Sequence, residues 1–284
     1  MTIDRLWDFD DPVSSEARFR ERLATATGDE RLELLTQVAR AQGLQRRFDD
    51  AHRTLDEVER NIGTAAPRVR VRLLLERGRA YRSGGSGERA IPPFSEALER
   101  ATDAREAGLA VDAAHMLAIT VSDPAERMAW HERGIAMAEA TDDPSARRWL
   151  PSLRNNLGWS HLDAGRHAEA LDQFERALGE RRAGGDPKAT RIAEWAVARA
   201  LRALGRLDDA LAMQRRLLEE WRAEGGRPPY VNEELGECLL ALGRETEARP
   251  YFAEAYALLS ADQGLAASQP ERLARIGRLA GVMT

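Results

Sequence analysis

Five histidines and one cysteine are the side chains of this 284-residue sequence best suited to proton transfer, nucleophilic attack or metal binding. Their spacing argues against each role. His131-Glu132 opens like the helix of a zinc protease, in which a second histidine four residues on completes a ligand pair on one face. Ile135 stands at that place. His161 and His167 straddle Gly165 with no cysteine nearby and no carboxylate at ligand spacing. The plain reading of His131 and His161 is that they replace aromatic residues in a core. Cys238 has no histidine in sequence view to act as its base, so a small buried hydrophobe is expected there. Ser83-Gly84-Gly85-Ser86-Gly87 has the glycine content of a phosphate loop, but no Lys-Ser/Thr follows and no strand precedes it. It reads as a flexible turn. No catalytic constellation, metal site or cofactor is expected.

Recognition chemistry is better represented. Asn155-Asn156 falls in the middle of a helical stretch, where asparagine costs stability. An amide there offers a donor and an acceptor to an extended peptide backbone. The alternatives are solvent exposure or a hydrogen bond to a neighbouring helix. Trp159 and Trp195 are of the residue type most enriched among binding hot spots, with plain packing as the alternative. Arg40, Arg79, Arg199 and Arg202 carry guanidinium forks that suit carboxylates. They point to an acidic ligand or a free C-terminal carboxylate, unless they pair in cis with Glu76, Asp112 and other acids.

Composition bounds the rest. The formal charge of −5 disfavours nucleic acid as the main partner, because neutralising phosphates takes a basic surface. Lys188 is the single lysine, a bias that GC-rich coding accounts for. A lone cysteine excludes an internal disulfide and fits a reducing compartment. The opening MTIDRLWDFDDP is acidic where a signal peptide is basic, and no run of eighteen apolar residues follows anywhere. A cytoplasmic location with no membrane partner is expected.

The elements that hold these side chains are helices. Apolar residues recur at three- and four-residue spacing, Gly and Pro punctuate the stretches, and β-branched alternation is missing. A repeat runs through the chain. Residues 154–178, 194–218 and 232–256 align with Gly158, Ala198 and Gly236 in register, followed by Gly165, Gly205 and Gly243, then Ala170, Ala210 and Ala248. Ala39 and Ala51 mark an upstream copy; Gly78, Ala90 and Phe94 mark another. A weaker copy over 111–135 has His115 at the small position, and its inner loop after Ile119 looks compressed. The aligned residues Ala51, Ala90, Arg127, Ala170, Ala210 and Ala248 lie 37 to 43 residues apart. The small residues let two antiparallel helices, A and B, nest; Phe94, Phe174 and Phe252 then fill space towards the next repeat. One hairpin cannot cover both faces, so neighbours stack and share a core. Asp143-Pro144 and Asp186-Pro187 are helix starts.

This pattern resembles the tetratricopeptide repeat family, particularly variants longer than the ~34-residue standard, over roughly residues 30–260. The resemblance implies an all-α fold: a right-handed α-solenoid of about six helix hairpins, with N- and C-terminal capping helices. The expected organisation is an arm and capping helix over 1–28, the repeat array over 29–262 and a capping helix over 263–284. Some bacterial relatives carry a DNA-binding domain ahead of the repeats; no room for it is seen before residue 30. The resemblance further implies a protein- or peptide-binding adaptor using the concave helix-A face, where many relatives clamp a peptide backbone with an asparagine. The side of helix A opposite helix B gives the candidates: Arg40, Arg79, Arg82, Met116, Asn155, Asn156, Trp159, Trp195, Arg199 and Arg202. The alternative function is a peptide-responsive regulator whose superhelical pitch changes on binding. Self-association through the array ends or the Trp7–Phe9 arm stays open.

Overall fold

The computed structural model describes residues 3–283, which are helical without a strand. A 3-10 turn, Ile3–Leu6, leads to α1 (Pro12–Leu23). Hairpins follow: α2 (Gly28–Leu44) with α3 (Phe48–Asn61), α4 (Pro67–Ser83) with α5 (Gly87–Asp103), and α6 (Ala107–Ala118) with α7 (Pro124–Glu139). A one-turn helix, α8 (Pro144–Arg147), precedes α9 (Leu150–Asp163) with α10 (His167–Gly184), α11 (Pro187–Ala203) with α12 (Leu207–Ala223), and α13 (Pro229–Ala241) with α14 (Glu245–Leu259). The chain closes on α15 (Gln263–Ser268) and α16 (Pro270–Ala280). It packs as two compact units, the first ending at Leu153 and the second beginning at Arg154. Both are TPR-like stacks of A/B hairpins.

The recurring small residues explain the hairpins. A methyl group added to Gly158 would lie 2.6 Å from Cε1 of Phe174, and one on Gly236 would lie 2.8 Å from Cε1 of Phe252. Gly78 is covered as closely by Phe94. Each phenylalanine therefore seats its ring on the glycine of its own hairpin, a contact the sequence reading had directed towards the next repeat. Where alanine replaces glycine, at Ala39 and Ala198, the residue sixteen positions on is Leu55 or Gln214, not phenylalanine. Ala51, Ala90, Ala170, Ala210 and Ala248 are at most 1% exposed, so these sites have no room for larger side chains. Gly165, Gly205 and Gly243 have φ of +72°, +77° and +73°, the left-handed conformation that ends helix A. In the first hairpin Arg46 takes the same place with φ +62°, against the preference of an L-residue. Helices α4, α5, α11 and α12 run 17 residues each, which accounts for the long period. The Asp143 and Asp186 side chains accept from Ser145 and Lys188 amides at 2.8 and 2.9 Å, as N-caps do.

The third hairpin departs from the rest. His115 and His131 stand where the other hairpins have Gly or Ala facing Phe, Leu or Gln, with ring centroids 6.4 Å apart. The inner loop is not compressed: α6 stops early at Ala118 and five residues lead to Pro124, against three between α4 and α5. Extra chain lies beyond α7, in α8 and the turn that brings Trp149 to 5.2 Å from His115. A Cβ on Gly108 would meet Ser145 Cβ at 2.8 Å, so glycine is what admits α8 against α6.

Candidate functional site

In the second unit, half-buried aromatic rings step across three successive A helices. Trp159 on α9 lies 5.6 Å from Trp195 on α11, whose ring lies 6.1 Å from Tyr230 at the start of α13. The ladder is held from below and from the side. Phe174, the ring seated on Gly158, meets Trp159 edge-on at 5.2 Å. The Trp195 indole N–H donates to the Tyr230 carbonyl at 3.1 Å. The Arg199 guanidinium lies 5.7 Å over Trp159, a cation–π distance. Counted from the small residue of each helix, Trp159 stands one place after, Trp195 three before and Tyr230 six before, so the ladder crosses the helices obliquely.

Beside Trp195 opens a cavity of about 530 Å³ walled by Ile192, Trp195, Trp221, Pro228, Pro229 and Tyr230. Ile192 is 53% exposed and Tyr230 43%, although Arg272 lies 5.5 Å over the Tyr230 ring. The α12–α13 connection shapes the wall: a Cβ on Gly226 would press on the Trp221 ring at 2.9 Å. Arg191 stacks 4.5 Å over Trp221 and forks onto Glu224 with two 2.6 Å bonds.

Every candidate arginine is engaged. Arg199 and Arg202 both bind Glu234, Arg202 at 2.8 Å, and Glu234 is 2% exposed. Burial opposes the charge on Arg202, but Glu234 outweighs it and the pKa rises. Next to them Arg272 binds Glu233 at 2.9 Å and Arg275 binds Glu237 at 3.0 Å. In the first unit Arg79 binds both Glu76 at 2.6 Å and Asp112, and Arg40 lies 3.6 Å from Glu76. Burial and the neighbouring Arg79 lower the Arg40 pKa; Arg79 itself is raised because Asp112 and Glu76 overcome its burial. Arg82 donates to the Ile119 carbonyl at 3.0 and 3.2 Å. Met116 is 7% exposed and belongs to the core. The staple has a rule: the residue after the small residue, Arg40 or Arg199, reaches the acid two places before the small residue of the next A helix, Glu76 or Glu234.

Asn155 and Asn156 are half-buried on α9 and pair with each other, Nδ2 to Oδ1 at 3.3 Å. Asn156 and Trp159 are one turn apart and share a face.

His115, His131 and Cys238 are shifted towards their neutral forms. Burial lowers the pKa of His115 and takes that of His131 down to about 4, so both are neutral near pH 7. Burial, with Glu234 adding to it, pushes the Cys238 thiol up to about 12. No cluster of three or more His, Cys, Asp or Glu able to hold a metal occurs among the described residues. Nor is any of their helices long and apolar enough to cross a membrane.

Tyr230, Ile192, Trp221 and Glu234 are not among the residues that the sequence singles out. The Gly225-Gly226 and Pro228-Pro229 pairs were the available signal for a shaped loop beside a pocket.

The fold and these faces define a class: stacked helix hairpins whose A helices carry most of the buried residues and whose B helices expose an outer face. The chain belongs to the tetratricopeptide repeat family, whose model matches residues 39–105, 145–187, 155–224 and 196–264. The unmatched stretch holds the third hairpin with its histidine pair. No curated protein matches in sequence. Among solved structures, the apo form of RapI aligns with a TM-score of 0.74 at 11% identity, covering 99% of this chain and 78% of that one. Aspartyl phosphate phosphatase F from Bacillus subtilis aligns at 0.61 and 13%, covering 98% and 75%. NprR in complex with its cognate peptide NprX aligns at 0.58 and 13%, covering 97% and 83%. At these identities the likeness is one of fold.

Proposed function

We propose that this protein is a non-catalytic adaptor that binds a peptide, or an extended segment of a partner protein, on the helix-A face of its second unit. Trp159, Trp195 and Tyr230 form the contact surface, the Asn155-Asn156 pair meets the ligand backbone, and the cavity beside Trp195 takes an apolar side chain. The observation that carries this reading is the aromatic ladder itself. Three large rings left half in water on consecutive helices cost solvation that a ligand would recover. The peptide held by the similarly folded NprR supports the choice of ligand class. An acidic ligand is the less favoured form, because drawing Arg199 and Arg202 away would leave the buried Glu234 unpaired. Binding is preferred to catalysis because His131 and Cys238 are buried, His115 is half-buried, and burial favours the neutral form of each. The single buried thiol fits a cytoplasmic setting.

The test is selection of peptides from a random displayed library against the full chain, followed by titration of a selected peptide against Trp195→Ala. A hot-spot tryptophan is worth at least ~2 kcal/mol, so affinity should fall about 30-fold. A library that yields no binder, or a binder indifferent to Trp195→Ala in a folded variant, would refute the proposal.

A further inference from the structure

The arm ahead of α1 is held as a bound peptide would be. Arg18 Nε donates to the Leu6 carbonyl at 2.8 Å. The fully buried Ser15 hydroxyl donates to the Asp8 carbonyl and accepts from the Asp8 amide, each at 2.8 Å. The Trp7 indole N–H donates to Gln37 Oε1 at 3.0 Å. Trp7 and Phe9 stack at 4.7 Å, and Arg40 lies over both rings, 5.5 and 5.2 Å from their centroids. Leu6 is buried against Phe19, Leu34 and Val38. Two side chains thus read backbone and two read rings. Gln37 and Arg40 occupy, on α2, the positions that elsewhere in the array receive and make the staples between neighbouring A helices. The arm supplies the donor that a preceding hairpin would supply.

The seating is tight from Leu6 to the Asp8 backbone and open at the Phe9 side chain. Phe9 is 58% exposed and stacks on Trp7 and under Arg40. Acidic side chains at Asp8, Asp10 and Asp11 flank the rings, and the charge of Arg18 helps to lower the Asp11 pKa, behind the hydrogen bonds from Ser14.

We propose that the face formed by Ser15, Arg18, Gln37 and Arg40 is a second docking site, for a linear segment carrying Trp and a second aromatic residue among acids, and that the chain's own arm is its resident occupant. This site is separate from the ladder of the second unit. A tethered arm acts at millimolar effective concentration, so a partner segment gains the site only by outcompeting it.

The experiment titrates a synthetic peptide with the sequence of residues 3–11 against the full chain, by fluorescence anisotropy. The wild type should bind it weakly because the arm is in place. Trp7→Ala/Phe9→Ala should bind it at least tenfold more tightly, and adding Arg40→Ala should return that gain. If the double variant no longer melts cooperatively, Phe9→Ala alone gives the same comparison with a smaller gain. Equal affinity of wild type and arm-weakened chains, or binding indifferent to Arg40, would overturn the proposal. So would a dimer that forms through arm exchange and dissociates in Phe9→Ala, because it would assign the site to a second copy.

Discussion

Both units build an A-helix face from the same repeat positions, yet they present different chemistry. In the second unit Arg199 stacks on Trp159, a ring from its neighbouring A helix, and Trp195 and Tyr230 extend the apolar surface beyond it. In the first unit Arg40 finds its rings only in the arm, and the next positions along are a charged chain of Glu76, Arg79 and Asp112. The same backbone pattern therefore gives one face that is satisfied by its own charges and another that leaves aromatic surface unsatisfied. Repeat geometry sets where the side chains point. The offsets at which rings fall in the second unit, one after, three before and six before the small residue, set what its face presents.

The comparison is broken most severely at Asp112. Replacing it with alanine strips the nearly buried Arg79 of one of two carboxylates, and one-sided removal of a buried pair costs about 3 to 5 kcal/mol. Denaturant melts of Asp112→Ala should show that loss, and native-state hydrogen exchange should place it in α4 and α6. A loss below about 1 kcal/mol would mean the network does not hold the first unit together.

Acid should separate the units next. The folded pKa of His131 is about 4, below the ordinary value near 6.5. A depressed histidine contributes its full stability above about pH 6.5. As pH falls from there, the unfolded chain takes up the proton that the folded chain refuses, and stability drops until the folded group titrates near 4. The integrated loss is about 3 kcal/mol, and the histidine pair lies only in the first unit. Hydrogen exchange across this window should show α6 and α7 loosening ahead of α11 to α14. His131→Phe should flatten the dependence; an unchanged profile would place the acid sensitivity elsewhere.

The smallest effect sharpens the comparison at a turn. Arg46 holds the left-handed conformation that glycine holds at positions 85, 165, 205 and 243. Arg46→Gly relieves a strain of roughly 1 kcal/mol, so the melting temperature should rise by a few degrees. A fall would show that the Arg46 side chain makes a contribution larger than its strain.

Much of this architecture was legible from residue spacing. Gly158, Gly236 and Gly78 announced close helix approach because no other residue leaves space for a ring there, and Gly165, Gly205 and Gly243 announced turns through their backbone freedom. The third hairpin was readable in register, from His115 to Arg127, but not in shape. Asp143-Pro144 marks a helix start, but residue spacing does not show that the helix it opens is a single turn ahead of α9 or that α6 ends early at Ala118. Within the candidate sites, Trp159 and Trp195 were visible as residue types, whereas their contact depends on an oblique path across helices that no linear spacing encodes. That Arg199 and Arg202 both reach Glu234 depends on helix rotation, which residue spacing leaves open. The arm's docking on Gln37 and Arg40 joins positions about thirty apart with no repeat to relate them.

One titration addresses the central claim directly. A library-selected peptide is measured against wild type, Trp195→Ala and Arg40→Ala chains that melt alike. The account predicts about a 30-fold weakening for Trp195→Ala and unchanged affinity for Arg40→Ala. Equal weakening in both variants, or weakening in Arg40→Ala alone, would contradict the assignment of peptide binding to the aromatic ladder of the second unit.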